Sequence, residues 1–187
     1  MAGLLLAAGA GRRAGGPKAL RTDPDGTSWL LRSARALQQG GCTDVTVVLG
    51  SGAAQARSIL DQHRWPAGSP TVLEAADWAE GMAASLRTGL LALADTGVQA
   101  VVVHLVDLPD VTADVVRRLT AQLDGPATLA RAVFAGRPGH PVLIGRDHLL
   151  AITSELSGDQ GARDYLDAHG AYGVECGDLA TGADQDV

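Results

Sequence analysis

The sequence predicts an α/β fold: a single domain in three layers, with a mostly parallel central sheet between helices. Two observations carry this expectation. Short apolar runs bounded by Gly, Asp or Pro alternate with segments of helical periodicity, the rhythm of parallel strands joined by crossover helices. The first, second and fourth of those runs also lack polar alternation, as strands buried on both faces do. At 187 residues and 19.1 kDa the chain suits one domain with a sizeable core. No internal repeat, low-complexity stretch or Pro/Gly/Ser-rich linker divides it, so residues 1–187 are read as one unit.

The expected strands are 4–8, 45–49, 71–74, 100–106, 127–134, 141–144 and 172–175. Between the first two, residues 27–39 place Leu30, Leu31, Ala34 and Leu37 on one stripe. Residues 81–94 do the same with Met82, Leu86, Leu90 and Leu93. Thr112 is the expected N-cap of a helix carrying Val115, Val116, Leu119 and Leu123, and 161–168 forms a shorter helix. Residues 177–187, rich in turn formers and acids, are expected as a loosely held tail.

Composition narrows the function classes. The 24 glycines are about twice the usual share, and one Phe, two Tyr and three Trp leave an aliphatic core with many tight turns. No Gly-X-Y period exists, so collagen is excluded. Apolar content of 46% is too high for a disordered chain, and no apolar run approaches the roughly 20 residues that span a bilayer. A net charge of -6 has the wrong sign for wrapping a nucleic-acid backbone. Residues 1–35 nevertheless hold Arg12, Arg13, Lys18, Arg21, Arg32 and Arg35 against Asp23 and Asp25, a local +4 that points to an anionic small molecule. Cys42 and Cys176 lie far apart at no metal-ligand spacing, and no positive residue precedes the first apolar stretch. Both features predict a cytoplasmic protein without a disulfide framework, with neither membrane nor nucleic acid as a partner.

The most informative segment follows the first strand. Residues 9–18 hold Gly9, Gly11, Gly15 and Gly16 together with Arg12, Arg13 and Lys18. Glycines let backbone N–H groups approach an anion, and the cations neutralise charge that amides cannot. Ligands of open α/β sheets bind beyond the carboxyl ends of strands, where this loop lies. Two familiar glycine loops fit poorly. A dinucleotide fingerprint needs an acid at the end of the second strand, which here reads Val48-Leu49-Gly50. A Walker loop needs Gly-Lys-Ser/Thr, whereas the chain has Gly16-Pro17-Lys18-Ala19.

A third pattern fits. Leu6-Ala7-Ala8-Gly9-x-Gly11-x-Arg13-x-Gly15-x-Pro17-Lys18 resembles the N-terminal motif of the molybdenum cofactor nucleotidyltransferases, in particular their molybdopterin cytidylyltransferase branch, within the wider NTP transferase superfamily. Lys18 is the only lysine of the chain, which otherwise uses Arg at its surface. Four further segments match in family order. They are Asp107-Leu108-Pro109 after an apolar strand, Trp78-x-x-Gly81-Met82-x-x-Ser85-Leu86-x-x-Gly89-Leu90, Gly139-His140-Pro141-Val142-Leu143, and Gly158-Asp159-Gln160-Gly161-Ala162-Arg163. Departures are Ala14 where Met is common, Ala75 where Asn is common, and Ala180 in place of the middle acid of the family's C-terminal Asp-x-Asp-Thr-Pro-Glu-Asp stretch, whose outer acids Asp178 and Asp184 are kept.

The resemblance implies a Rossmann-like fold of the nucleotide-diphospho-sugar transferase type. It also implies an Mg²⁺-dependent transfer of a nucleoside monophosphate from a nucleoside triphosphate to a phosphate-bearing acceptor, with release of pyrophosphate. CTP is favoured because Ala8 stands where the guanylyl branch has Gly; GTP is the alternative. By resemblance, Lys18, Arg13 and Asp107 are the catalytic set. Leu6, Ala7, Ala8, Gly9, Gly11, Arg12, Gly15, Gly81 and Ser85 bind the nucleotide, with base contacts made mainly by backbone. Arg137 and His140 lie on the acceptor side, and Asp107 and Asp184 hold the metal. Asp159 is read first as a helix cap. The acceptor implied is molybdopterin or the molybdenum cofactor, with a molybdoenzyme or its chaperone as a further partner. The rivals are the same chemistry on a sugar phosphate or alcohol phosphate, a non-catalytic nucleotide-binding module, and a dinucleotide-dependent oxidoreductase, the last disfavoured by the missing acid.

Overall fold

The computed structural model describes residues 1–11 and 15–185. Among them, seven strands form one sheet: β1 (Ala2–Ala7), β2 (Asp44–Leu49), β3 (Thr71–Glu74), β4 (Ala100–Leu105), β5 (Leu129–Phe134), β6 (Arg137–Gly145) and β7 (Tyr172–Glu175). Their order is β3-β2-β1-β4-β6-β5-β7, and only β6 runs against the rest. All seven expected strands are present. β6 begins four residues earlier than expected, because Ala135 and Gly136 both take positive φ (51° and 77°) and fold it back on β5 as a two-residue hairpin.

The same residues give six α-helices that flank the sheet: α1 (Trp29–Gln39), α2 (Ala53–Gln62), α3 (Met82–Ala94), α4 (Ala113–Thr120), α5 (Arg146–Glu155) and α6 (Arg163–Ala168). The period-2 alternation of β1 shows how the layers form. Leu5 and Ala7 pack with Leu30, Leu37, Leu60 and Val116 from α1, α2 and α4. Leu4 and Leu6 face the other way and pack with Leu86, Leu90, Leu149, Ile152 and Leu166 from α3, α5 and α6. The sheet is thereby covered on both sides, which is why its central strands carry no polar alternation. Gly89 lets α3 lie close on β1: a Cβ there would come within 2.4 Å of the Leu4 side chain.

Helix starts follow the expected chemistry in part. Thr112 caps α4 by accepting from the Asp114 N–H, and Ser28 caps α1 by accepting from Leu31. Leu123 lies past the end of α4 yet still packs on the first core. Helices α2 and α5 bury only Ala56 and Leu60, and Leu149 and Ile152, respectively. Such narrow stripes give little periodic signal, so neither helix was legible in the sequence. The segment from Gly177 to Gln185 runs back over the sheet end. Arg118 pairs with Asp178, Asp110 accepts from both the N–H and the hydroxyl of Thr181 at 2.6 Å, and the Gln185 N–H donates to the Asp107 carbonyl at 3.0 Å. Among the described residues no helix is long and apolar enough to cross a membrane.

One core residue is anomalous. His104 of β4 is fully buried, and neither ring nitrogen has a hydrogen-bond partner among the described residues. Burial, aided by the nearby His140 and by the Arg32 charge, holds its imidazole down at about 3. His140 is likewise held at about 4, chiefly by burial. The unfolded chain binds protons at an ordinary 6.5, so in this window it takes up more protons than the native state. Stability is therefore expected to fall as pH drops from 6.5 toward 4, and to keep falling toward 3. The slope contributed by each histidine approaches about 1.4 kcal/mol per pH unit. Urea unfolding of the His104→Leu protein should show a shallower acid limb and equal or higher stability at neutral pH, since an unpartnered polar ring is replaced by an apolar one. An unchanged acid limb would refute this account.

Candidate active site

The order of β3-β2-β1-β4 puts a topological switch between β1 and β4: the chain leaves β1 toward β2 on one side and returns to β4 on the other. Open α/β sheets bind ligands in the crevice outside the carboxyl ends of strands at such a point. The glycine loop leaves β1 here. Asp107 follows β4 here too, after Val106 extends the pairing by donating to the Leu6 carbonyl at 3.2 Å. The two elements meet in an ion pair, Lys18 Nζ donating to Asp107 Oδ2 at 2.7 Å, with both side chains more than four-fifths buried. Burying an acid at a strand end is costly unless it is paired or holds a cation. The Lys18 ammonium meets that need.

Local backbone chemistry presents Lys18. Gly11 takes φ +56°, and its carbonyl accepts from the Gly16 N–H at 3.2 Å; a Cβ on Gly11 would fall 2.0 Å from the Gly16 oxygen. Pro17 then opens a short 3₁₀ turn, Lys18–Leu20, closed by Leu20 and Arg21 N–H groups donating to Pro17 and Lys18 carbonyls. Downstream, Asp23 accepts from the Trp29 indole N–H at 2.7 Å and pairs with Arg32, which pins the connection to α1. Arg12 and Arg13 lie outside the described residues.

The pair lines the first of two adjoining clefts. The first, of about 520 Å³, is lined by Ala7, Ala8, Gly9, Gly11, Lys18 and Asp107 on one side and by Trp78, Glu80, Gly81 and Ser85 on the other. The space where a Gly9 Cβ would stand is open, so backbone is presented bare to the cleft. The second, of about 590 Å³, is lined by His140, Arg131, Arg163, Gln160 and Asp184 above an aliphatic floor. Leu6, Met82, Leu105 and Asp159 line both clefts. The structure thus brings together Leu6, Ala7, Ala8, Gly9, Gly11, Lys18, Gly81, Ser85 and Asp107 around one volume, and His140 and Asp184 around its neighbour. Arg137, exposed at the start of β6, and Gly15 line neither.

The C-terminal acids divide. Asp178 is committed to Arg118, whereas the Gln185 to Asp107 backbone bond brings Asp184 alongside the end of β4. Asp159 does not cap a helix: α6 begins at Arg163 with Ala162 as its N-cap and no side-chain cap bond. The Asp159 carboxylate instead lies against Gly81, and Gly158 accepts from the Ala83 N–H at 3.0 Å. The loop before α6 is thereby fastened to the start of α3 as a partition between the clefts. Arg163 and Gln160 were also missed as cleft residues, although both fall in the Gly158–Arg163 motif; the capping reading of Asp159 hid their shared location. His140 is neutral near pH 7, because burial and the Arg163 charge outweigh the pull of the Asp107 carboxylate. An imidazole held at about 4 is a hydrogen-bonding group at neutral pH and a weak proton acceptor.

Comparison with known proteins identifies the family. The family model described as the MobA-like NTP transferase domain matches residues 3–172. The chain belongs to that family. It is accordingly a nucleotidyltransferase enzyme, of the molybdenum cofactor nucleotidyltransferase group. Among curated relatives, the nicotine blue oxidoreductase of Paenarthrobacter nicotinovorans is 34% identical over 99% of this chain and 91% of its own length. The crystal structure of a homolog of Mycobacterium tuberculosis rv0371c, from Mycobacterium sp. strain JC1, superposes with a TM-score of 0.78 at 29% identity, covering 100% of this chain and 90% of that one. A manganese complex of Rv0371c from M. tuberculosis H37Rv shares the fold, with a TM-score of 0.74 at 23% identity over 98% and 92% of the two chains.

The partition gives a direct test. Gly81 has φ +122°, and a Cβ there would fall 2.4 Å from Asp159 Oδ1 and 2.7 Å from the Gly158 oxygen. Gly81→Ala is expected to destabilise the protein by about 1–3 kcal/mol, from backbone strain and the displaced loop. Urea denaturation measures this, and an unchanged midpoint would mean that the loop yields without cost.

Proposed function

We propose that the protein transfers a nucleoside monophosphate, CMP in preference to GMP, from the triphosphate held in the first cleft to a phosphate-bearing acceptor in the second, releasing pyrophosphate. The observation that supports this most is the Lys18–Asp107 pair in the wall of the first of two adjoining clefts, which share Leu6, Met82, Leu105 and Asp159. An acceptor phosphate oxygen attacks the α-phosphorus, the bond from the α-phosphorus to its bridging oxygen breaks, and pyrophosphate leaves with that oxygen. Such transfer is governed by positioning and charge neutralisation more than by covalent participation of the protein.

The donor set suits Mg²⁺. The protein offers Asp107 after β4, and Asp184 brought beside it by the Gln185–Asp107 backbone bond, as oxygen donors, and leaves the remaining positions to phosphates and water. Mg²⁺ is usually held in that way. When bound, the cation supplies charge neutralisation to the phosphates, and the manganese complex formed by Rv0371c is in keeping with a divalent ion. Lys18 exchanges its carboxylate for triphosphate oxygens. Arg13, with Arg12, supplies further positive charge from the glycine loop. The open backbone of Ala7, Ala8 and Gly9 meets the base, and Gly81 and Ser85 lie beside it and the ribose. His140, neutral, holds the acceptor side by hydrogen bonding. The acceptor is molybdopterin or the molybdenum cofactor, and a molybdoenzyme or its chaperone receives the product.

The name of the 34% identical relative favours a second reading, an oxidoreductase. Against it stands the end of β2, Val48-Leu49-Gly50, which provides no carboxylate for a dinucleotide ribose. One experiment separates the two. Purified protein is incubated with Mg²⁺, each of CTP, GTP and ATP, and candidate phosphate acceptors, with pyrophosphate release followed; NADH and NADPH binding are measured in parallel by fluorescence. Pyrophosphate is expected with CTP first. Lys18→Ala should lower turnover at least 100-fold, about 2.7 kcal/mol of transition-state stabilisation, with the fold intact by circular dichroism. Near-normal turnover in that variant, or reduced-dinucleotide binding without pyrophosphate release, would overturn the proposal.

A further inference from the structure

The C-terminal segment carries Asp184 to the end of β4, and the residue that fixes it there lies outside every motif. Asp110 stands three residues after Asp107 in the same loop, flanked by Leu108 and Val111, both buried in the first core. Its carboxylate is turned to the chain end: Oδ2 accepts both the Thr181 N–H and the Thr181 hydroxyl at 2.6 Å. Oδ1 is buried and has no hydrogen-bond partner among the described residues. Hydrogen bonds to an ionised carboxylate are roughly twice as strong as neutral ones, so two donors on one oxygen make a firm anchor.

The anchor is relayed along the chain. The Thr181 hydroxyl gives its only proton to Asp110 and accepts from the Ala183 N–H at 3.2 Å. Between them Gly182 takes φ +64° and lies on the Phe134 ring, which a Cβ there would approach to 2.2 Å. Immediately after Asp184, the Gln185 N–H donates to the Asp107 carbonyl at 3.0 Å. Asp184 is thereby held between two attachments to one loop, the loop that carries Asp107. The remaining contacts of the segment lie further off. The Arg118–Asp178 pair is at its start and exposed, and exposed ion pairs contribute little. Leu179 and Ala180 pack on the first core, and Ala180, where the family has its middle acid, lines neither cleft.

We infer that Asp110 is a positioning residue: through Thr181 it holds the Asp184 carboxylate beside Asp107, and so sets the protein's affinity for a divalent cation. This rests on the reading of Asp107 and Asp184 as the metal's oxygen donors. On a free chain end, Asp184 would lose conformational freedom on meeting a cation; clasped, it has lost that freedom beforehand.

Two measurements on the full chain test this: amide hydrogen exchange at Gln185, and affinity for Mn²⁺ alone, followed by electron paramagnetic resonance. Asp110→Ala and Thr181→Val are expected to speed Gln185 exchange and to weaken Mn²⁺ binding about ten-fold, as loss of a group that orients a metal ligand does. Thr181→Ser keeps the hydroxyl and should bind Mn²⁺ as wild type does. Asp184→Asn should weaken Mn²⁺ with Gln185 exchange unchanged, and adding Asp110→Ala to it should weaken Mn²⁺ no further. A merely structural role would add its own loss to that of Asp184→Asn. Should Asp110→Ala fail to fold, Thr181→Val carries the same comparisons. Unchanged Gln185 exchange or unchanged Mn²⁺ affinity in these variants overturns the inference, as does a further loss in the double variant. If Asp107→Asn and Asp184→Asn bind Mn²⁺ as wild type does, or wild type does not bind it, the metal assignment falls and the inference with it. If both weaken binding while Asp110→Ala and Thr181→Val do not, the metal assignment stands and the inference alone falls.

Discussion

The ion pair between Lys18 and Asp107 joins the two halves of the site. Its partners are 89 residues apart and come from loops after different strands, yet both are fixed by the same parallel pairing of β1 with β4. A carboxylate stranded at the end of an apolar strand is unstable by itself, and an ammonium buried beneath a glycine loop is equally so without a counter-charge. Each neutralises the other at a cost of ordering that the surrounding backbone has already met. Under the proposed function, a metal-bound triphosphate comes between these same two groups. The site thus holds its positive and negative components at contact distance across the crevice.

Around that pair the geometry is one of division. The loop before α6 is tied to the start of α3 by the Gly158–Ala83 hydrogen bond and by Asp159 packed on Gly81, and it separates a backbone-lined cleft from an aliphatic one. Gly81 is required by both its positive φ and the closeness of Asp159. The return of the chain end over β4, through Thr181 on Asp110 and Gln185 on Asp107, adds Asp184 to the boundary. A transferase acting on two substrates needs such a boundary, because the reacting atoms must meet while the bodies of the substrates are recognised by different surfaces.

Much of the fold was legible because its core strands are fully apolar and its main helices carry wide stripes. Leu30, Ala34 and Leu37 of α1, and Leu86, Leu90 and Leu93 of α3, announced their faces by spacing alone. Helices α2 and α5 did not, since two buried residues each leave no detectable period. The β5–β6 hairpin was missed because Ala135, not glycine or asparagine, takes the first positive φ of its turn. At the site, the glycine loop and Asp107 stood out by residue type at strand ends. Asp159 did not, because an acid just ahead of a helical segment reads as a cap until its true neighbour, Gly81, is known.

By itself the sequence determined the elements and the chemistry they bring: buried parallel strands, a cationic glycine loop holding the chain's only lysine, and an aspartate after an apolar strand. These are local properties, written in periodicity and residue type. The tertiary structure decided which of those groups meet. It joined Lys18 to Asp107, assigned Asp178 to Arg118 and left Asp184 at the cleft, and placed Arg163 inside the second cleft while keeping Arg137 outside. The reason is that contact between residues far apart in the chain depends on strand order and on the direction of β6, and neither is encoded in any single segment.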